Sequence, residues 1–412
     1  MTDPRNIATQ DFDYHLPEAR IAKYPRERRE QSNLLIYNQG SIRQDIFRHL
    51  SRHIPSDHLM VYNNARVVYA RLLFYKSTGA EIEIFCLEPH HPADYNQAFQ
   101  QEEQVEWKCL VGNLKKWKDQ DLEQRLDIKG KPLNLNAKKI SRQDQHVVVR
   151  FNWDNPDLTF GDILDHMGKV PIPPYLKRES EPVDKTRYQT VYSKVRGSVA
   201  APTAGLHFSD QVFRDLQDKG ISSSEITLHV GAGTFRPVKA ETIDQHAMHL
   251  EHFEVSRECL EQLIRHYPNI LAVGTTSLRT LESLYWIGLK LSENPSFRGE
   301  ILLDQWEYLD MPNDIAVPRA LGFIKEYMDQ ANLKALQAST RMMIAPGYSF
   351  KLTRGLITNF HQPRSTLLML VAAFVGSDWK TIYQYALDHE FRFLSDGDGS
   401  LLFPGERMDV ES

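Results

Sequence analysis

At 412 residues, with 41% hydrophobic and 25% charged content, the chain exceeds the usual single-domain size and can build a core without disulfide staples. Its net charge of −5 argues against global attraction to nucleic acid, so any RNA binding has to come from a local basic face. No apolar run reaches the roughly 18 residues that cross a bilayer, the start MTDPRNIATQDFDYHLP has neither signal nor transit composition, and the widely spaced Cys86, Cys109 and Cys259 fit neither a disulfide framework nor a CxxC metal site.

Residues 11–66 begin with a short helix expected from Pro17-Glu18 to Tyr24-Pro25. A strand is expected over 34–37, a helix over 42–50 and a strand over 59–62. Arg26, Arg28 and Arg29, near Arg20 and Lys23, read as a solvated helix end or a phosphate-contacting patch. From Val67 to about Arg150 short alternating runs appear (VVYARLLFY, AEIEIFCLEP, EWKCLVG, HVVVRF), as in a small β-barrel or sandwich. The polar stretches 91–104 and 115–145 are expected to be irregular. Two of their segments, GNLKKWKDQ with Trp117 and KGKPLNLNAKKISR, are basic, and basic residues beside an aromatic are a modest RNA-contact signal.

A helix is expected over 160–167, followed by the linker VPIPPY. The small residues 197–205, with Pro202, suggest a close-fitting loop. Ser209 caps a helix that ends at Gly220. Residues 225–230 form a strand entering Gly231-Ala232-Gly233. Pro237 and the lack of a third glycine rule out a dinucleotide fingerprint there, although a ligand can approach a glycine-lined strand end closely. His246, His249 and His252 recur at three-residue spacing beside Glu251 and Glu254, which raises metal binding, but the pattern is not HExxH.

Residues 269–276 read as a strand, with a helix from Ser277 whose first turn carries Arg279. The layout of 287–340 is left open. Gly355 to Gly376, GLITNFHQPRSTLLMLVAAFVG, repeats the plan: strand, polar corner, Arg364 in a first turn, then a helix apolar on every side and therefore interior. A cation at a helix N-terminus opposes the macrodipole, and two such units suggest a paired anion site. Strands alternating with helices in both outer thirds, with β texture between, imply an α/β fold. The expected fold is a discontinuous α/β main domain (1–66 and 151–412) with an inserted small β-barrel domain (67–150).

DFDYHLPEARIAKYP, GSVAAPTAGLHFS, LHVGAGTFRPV, MHLEHFEV, AVGTTSLRTLES and GLITNFHQPRSTLLMLVAAFVG together resemble, in order and over nearly the whole chain, the S-adenosylmethionine:tRNA ribosyltransferase-isomerases of queuosine biosynthesis. The insert resembles that family's barrel through GAEIEIFCLEP and Trp107 to Val111. The chain departs from the family pattern at Tyr69, usually Pro, and at Asp396, usually Tyr.

The resemblance implies transfer and isomerisation of the ribosyl part of S-adenosylmethionine onto 7-aminomethyl-7-deazaguanine at the tRNA wobble position. Epoxyqueuosine forms, and adenine and methionine leave. S-adenosylmethionine is then a consumed substrate and no cofactor or metal is implied. The partner is the tRNA anticodon region, without a membrane, and a cytoplasmic monomer is expected.

His207, His229 and His361 are the acid/base candidates. Thr203, Gly205, Gly231, Gly233, Thr275, Thr276, Ser277, Arg279, Asn359, Arg364 and Ser365 are the substrate-binding candidates, with Glu282 orienting Arg279. Two further readings remain open: a tRNA-binding relative with impaired turnover, motivated by Asp396 and Tyr69, and a metal-dependent hydrolase using His246, His249 and His252.

Overall fold

The structure, a computed structural model, describes residues 3–76, 78–118, 120–143, 146–231, 238 and 240–405. Where a short helix was expected between Pro17 and Pro25, the chain makes only a 3-10 turn, Glu18–Arg20. Strand β1 (Asn33–Asn38) turns through Gln39 and Gly40 into β2 (Ser41–Ile46). Both turn residues have positive φ, 49° and 86°, as a two-residue hairpin connection requires. The helix expected over 42–50 is therefore wrong: this hairpin strand is followed by 3-10 turns at Phe47–His53. The fully buried β3 (Leu59–Asn63) and the short β4 (Ala65–Val67) lead to the insert.

The insert comprises β5 (Arg71–Tyr75), β6 (Glu81–His91), α1 (Tyr95–Phe99), β7 (Gln104–Val111), β8 (Leu122–Ile128), β9 (Lys131–Gln143) and β10 (His146–Trp153). The strands form an antiparallel six-stranded sheet in the order β5-β6-β7-β10-β9-β8, and its edges β5 and β8 approach each other, nearly closing a barrel. Phe74, Ile84, Trp107, Leu135 and Phe151 fill its interior. Most of 115–145, expected to be irregular, is the β8–β9 hairpin. Leu122, Ile128, Leu133, Leu135 and Ala137 are buried at intervals among polar residues, and Lys129 and Gly130, at φ 54° and 81°, make the turn. Within 91–104, Asp94 caps α1 by accepting from Gln97 N at 2.8 Å.

The chain continues through α2 (Phe160–Met167), α3 (Asp184–Arg187), β11 (Val195–Ser198), α4 (Asp210–Asp218), β12 (Ser222–His229), β13 (Glu251–Ser256), α5 (Arg257–His266), β14 (Ile270–Val273) and α6 (Thr275–Glu293). The stretch 287–340, whose pattern is ambiguous, resolves into the end of α6, β15 (Leu302–Leu303), α7 (Val317–Gln330) and β16 (Ala335–Thr340). Last come β17 (Thr353–Asn359), α8 (Thr366–Val375), α9 (Trp379–Asp388) and β18 (Gly399–Phe403). Among the described residues the main sheet has ten strands in the order β15-β16-β13-β12-β3-β14-β17-β18-β1-β2. Its centre, β12-β3-β14-β17, is parallel, and the middle pair, β3 and β14, is buried along its whole length, as layers covered by helices require. The expected α/β architecture with an inserted small barrel is the one the chain adopts.

Two units place the chain at the carboxyl end of this parallel core. Helix α6 leaves β14 at Gly274, whose φ of 94° suits glycine, and is buried from Thr275 to Leu289. Glu282 lies inside it. Its carboxylate accepts N–H groups from Lys351 (2.7 Å), Leu352 (3.1 Å) and Thr353 (2.8 Å), and the Tyr348 hydroxyl (3.0 Å). Burial still pushes its pKa up. Glu282 thus ties α6 to the entry of β17 and does not orient Arg279.

At the second unit Ser365 caps α8, accepting from Leu368 N at 3.2 Å. Arg364 precedes this cap, in a left-handed conformation (φ 53°), so it is outside the first turn. It is half-exposed and its Nε donates to Asp13 at 2.8 Å. Glu282→Ala, by leaving buried donors unpaired, is expected to destabilise the fold by about 3 kcal/mol or more. Arg364→Ala should cost no more than about 1 kcal/mol. Urea unfolding midpoints distinguish them, and equal effects would refute the anchoring role of Glu282.

Candidate active site

At the carboxyl ends of β12, β14 and β17, where ligands bind in open α/β sheets, the loops enclose one cavity. The loop Ala200 to Ala204 forms one wall and Thr358 to Gln362 another. The starts of α6 (Thr275, Thr276) and α8 (Ser365, Thr366) open onto it, and Val230, His246, His249, Tyr175, Leu394 and Ser395 complete the lining. The enclosed volume is about 90 Å³, below the roughly 300 Å³ of an ordinary small-molecule pocket. A nucleoside-sized ligand therefore fits only by extending outward or displacing lining side chains.

Of the acid/base and substrate-binding candidates, Thr203, Thr275, Thr276, Asn359, His361 and Ser365 line this cavity, as do His246 and His249 of the proposed metal trio. His207 lies behind it. Thr203 Oγ1 donates to Asn359 Oδ1 at 2.8 Å, and Asn359 Nδ2 donates to His207 Nε2 at 3.1 Å. Nδ1 of His207 meets Ser32 Oγ at 3.0 Å, which in turn donates to the Arg29 carbonyl at 3.0 Å. Burial, followed by the cations Arg392, Arg29 and Arg26, lowers the His207 pKa to about 3. The ring is neutral at pH 7, and its unprotonated Nε2 fixes which way the Asn359 amide points.

His361 does reach the cavity. Its Nε2 is 2.9 Å from Thr358 Oγ1 and its backbone N–H donates to Tyr383 Oη at 3.0 Å. Burial depresses its pKa to about 3, so it is a weak base and suits hydrogen bonding better than proton storage.

The remaining candidates stand elsewhere. His229 stacks on Tyr95 of the insert, with centroids 4.3 Å apart and planes at 18°. Its pKa falls to about 4, through burial first and His252 second. Its ring therefore bridges the main sheet and the insert, outside the cavity lining. Gly205 is required by packing, since a Cβ there would lie 1.9 Å from Tyr192 Oη. Ser277 is fully buried inside α6. Gly231 follows the lining residue Val230, and Gly233 lies outside the described residues. Arg279 is buried and forms an ion pair with the equally buried Glu251. With Arg364 held by Asp13, neither arginine supplies the expected paired anion site.

A trio named in sequence with other roles is brought together here. His249 is a lining residue, and its Nε2 is 3.8 Å from Glu251 Oε1, while Glu251 Oε2 holds Arg279. The clue is present in MHLEHFEV, where the histidine spacing by itself suggests only metal ligation. His252 stands apart in β13, with Nδ1 2.8 Å from Ser339 Oγ. Among the described residues no group of three or more His, Cys, Asp or Glu side chains is placed to hold a metal. Tyr175, at the end of the linker VPIPPY, and Ser395, next to Asp396, are joined by a hydrogen bond across the cavity wall, and neither was named as a site residue.

Residues 9–402 match the family model described as queuosine biosynthesis protein. The S-adenosylmethionine:tRNA ribosyltransferase-isomerase of Desulfitobacterium hafniense is 36% identical over 401 residues, covering 95% of this chain and 99% of that one. The protein of the same name from Legionella pneumophila is 37% identical over 399 residues, with the same coverage. A solved structure of the S-adenosylmethionine tRNA ribosyltransferase of Thermotoga maritima is 26% identical, covers 95% of this chain and 99% of that one, and superposes with a TM-score of 0.45. With a match along nearly its full length and relatives above one-third identity, the chain belongs to the S-adenosylmethionine:tRNA ribosyltransferase-isomerase family of queuosine biosynthesis.

Proposed function

We propose that this chain transfers the ribosyl part of S-adenosylmethionine to 7-aminomethyl-7-deazaguanine at the tRNA wobble position and isomerises it to epoxyqueuosine. Adenine and methionine are released. The supporting observation is the convergence of five separated motifs on one cavity, through Thr203, Val230, His249, the pair Thr275 and Thr276, and the group Asn359, His361 and Ser365. We take the protein to be a cytoplasmic monomer, divided into a catalytic part (1–66 and 151–412) and an inserted barrel (67–150). Among the described residues no helix is long and apolar enough to cross a membrane.

The methionine carboxylate needs an anion site without a cation that would repel the sulfonium. Two helix N-termini meet this need, because first-turn N–H groups have no partner within the helix and the dipole favours negative charge. The start of α6 has Gly274 as its cap residue and no side-chain cap. His249 is our candidate for proton transfer: it faces the cavity, Glu251 stands behind it, and Arg279 fixes Glu251. Asn359, held by Thr203 and His207, presents its amide to the ligand, and His361 supplies a neutral imidazole.

Mixing the protein with S-adenosylmethionine and tRNA bearing the aminomethyl base should release adenine and methionine and add mass to the tRNA. Release of neither by well-folded protein would sink the reading. His249→Gln is expected to lower kcat by about 10²- to 10⁴-fold with little change in KM for S-adenosylmethionine. An unchanged kcat would remove His249 from the proton-transfer role.

The alternative of impaired turnover draws on Asp396. Its carboxyl is buried beside the lining residue Ser395, 4.0 Å from Arg178 Nη2. Burial, the largest cause, raises its pKa to about 6 despite Arg178. Because the folded pKa lies above the ordinary carboxylate value, the folded state holds the extra proton between about pH 4 and 6. Stability is then lost as pH rises through that window and the penalty is complete above it. Asp396→Asn should accordingly raise the unfolding free energy by about 3 kcal/mol at pH 7.5 and by much less at pH 4. A pH-independent effect would contradict this. Retained turnover in the unaltered chain would exclude the impaired-turnover reading.

A further inference from the structure

The insert carries a second concave site, which shares no lining residue with the cavity. Strand β7 passes the junction with the main sheet near its middle, where Trp107 lies 6.1 Å from Tyr95, the residue that stacks on His229, and it ends four residues further on at Val111. The loop that follows and the last part of β9 enclose a groove of about 830 Å³ there. Lys115, Lys116, Lys139 and Arg142 line it around Leu114 and Ile140, and no carboxylate is among the described lining residues. The two basic segments conspicuous in the sequence, separated by a whole strand, are thus brought to one surface.

Their arrangement specifies what kind of ligand they suit. Trp117, the aromatic within the first of them, is 2% exposed and donates its Nε1–H to the Gln120 carbonyl at 2.9 Å, so it offers no face on which a base can stack. Lys139 is half-buried, donating to the Trp117 carbonyl at 2.8 Å with its ammonium 5.5 Å from the indole centroid. Lys76 reaches across to the Lys116 carbonyl at 3.0 Å. The loop is therefore fixed to its neighbours while Lys115, Lys116 and Arg142 remain exposed. A preformed groove with several cations and no stacking surface is suited to a polyanion backbone, not to bases. In a chain whose net charge is −5, so local a concentration of positive charge has specific electrostatic consequences.

We propose that this groove binds the phosphodiester backbone of the tRNA substrate, away from the wobble base, and so contributes affinity without base selection. The proposal rests on the tRNA-modifying function above. The test compares the unaltered protein with the triple variant Lys115→Gln/Lys116→Gln/Arg142→Gln, after matching their urea unfolding midpoints. The probe is tRNA bearing the aminomethyl base. At low salt the variant should bind it on the order of tenfold more weakly, and the plot of log K against log salt should be shallower by about 0.9 for each phosphate that the variant no longer neutralises. Affinity for S-adenosylmethionine and kcat at saturating tRNA should be unchanged.

Equal tRNA affinity and an equal salt slope would overturn the groove while leaving the function intact. Failure of the unaltered protein both to bind tRNA and to release adenine would overturn the functional reading itself. Displacement of tRNA from the unaltered protein, but not from the variant, by poly-glutamate at equal charge concentration would assign the groove to acidic polypeptides instead.

Discussion

A helix with almost no exposed face has to satisfy every charge it carries, and this constraint shapes the centre of the molecule. Helix α6 brings Arg279 and Glu282 into the interior. Breaking a buried pair by removing one partner leaves an uncompensated charge and costs several kcal/mol. Arg279 therefore draws Glu251 inward from β13, while Glu282 gathers the backbone N–H groups that lead into β17. One helix is thereby fixed to strands on both sides of the parallel core. Its N-terminus and the adjacent end of β17 are the two features that the cavity is built on.

The same economy applies at the cavity wall, where burial makes side chains rigid instead of reactive. His207 looks like a catalytic histidine in sequence, yet desolvation and nearby cations keep it neutral. Its neutral state is what the Asn359 amide requires, because protonation would place a donor opposite a donor. The path from the Arg29 carbonyl through Ser32, His207 and Asn359 to Thr203 gives each group a defined direction. It holds the Asn359 amide at the cavity wall in one orientation.

The elements with strong, continuous patterns were legible in sequence. The runs at 34–37 and 59–62, the capped helix from Ser209 and the interior helix ending at Gly376 were all located because burial on one or all faces leaves a direct trace. The failures share a cause. At Gln39-Gly40 and Lys129-Gly130 the decisive feature was a pair of positive φ values in a two-residue turn, and the surrounding polar residues hid the strands. Among site residues, hydroxyl and amide groups next to strand ends were found, since loops at the carboxyl ends of parallel strands converge. The two arginines were placed near the right corners with the wrong partners. A sequence displays a cation at a helix start, but its neutralising carboxylates, Asp13 and Glu251, come from distant segments. His249 was read only as a metal ligand for the same reason, because its placement depends on Glu251 being held from behind.

With both arginines neutralised, the described lining of the cavity contains no lysine or arginine. That absence is consistent with a substrate whose reacting centre is a sulfonium: a full positive charge nearby would oppose binding, whereas helix N-termini attract the carboxylate with partial charges distributed over several N–H groups. Cations for the RNA must then be located where they do not act on the sulfonium. Exposed charges separated by more than a Debye length, roughly 8 Å at physiological ionic strength, are largely screened from each other. A basic groove on the insert, sharing no lining residue with the cavity, places the cations for a long polyanion outside the site. In this reading the inserted barrel separates two electrostatic demands that one site cannot satisfy together.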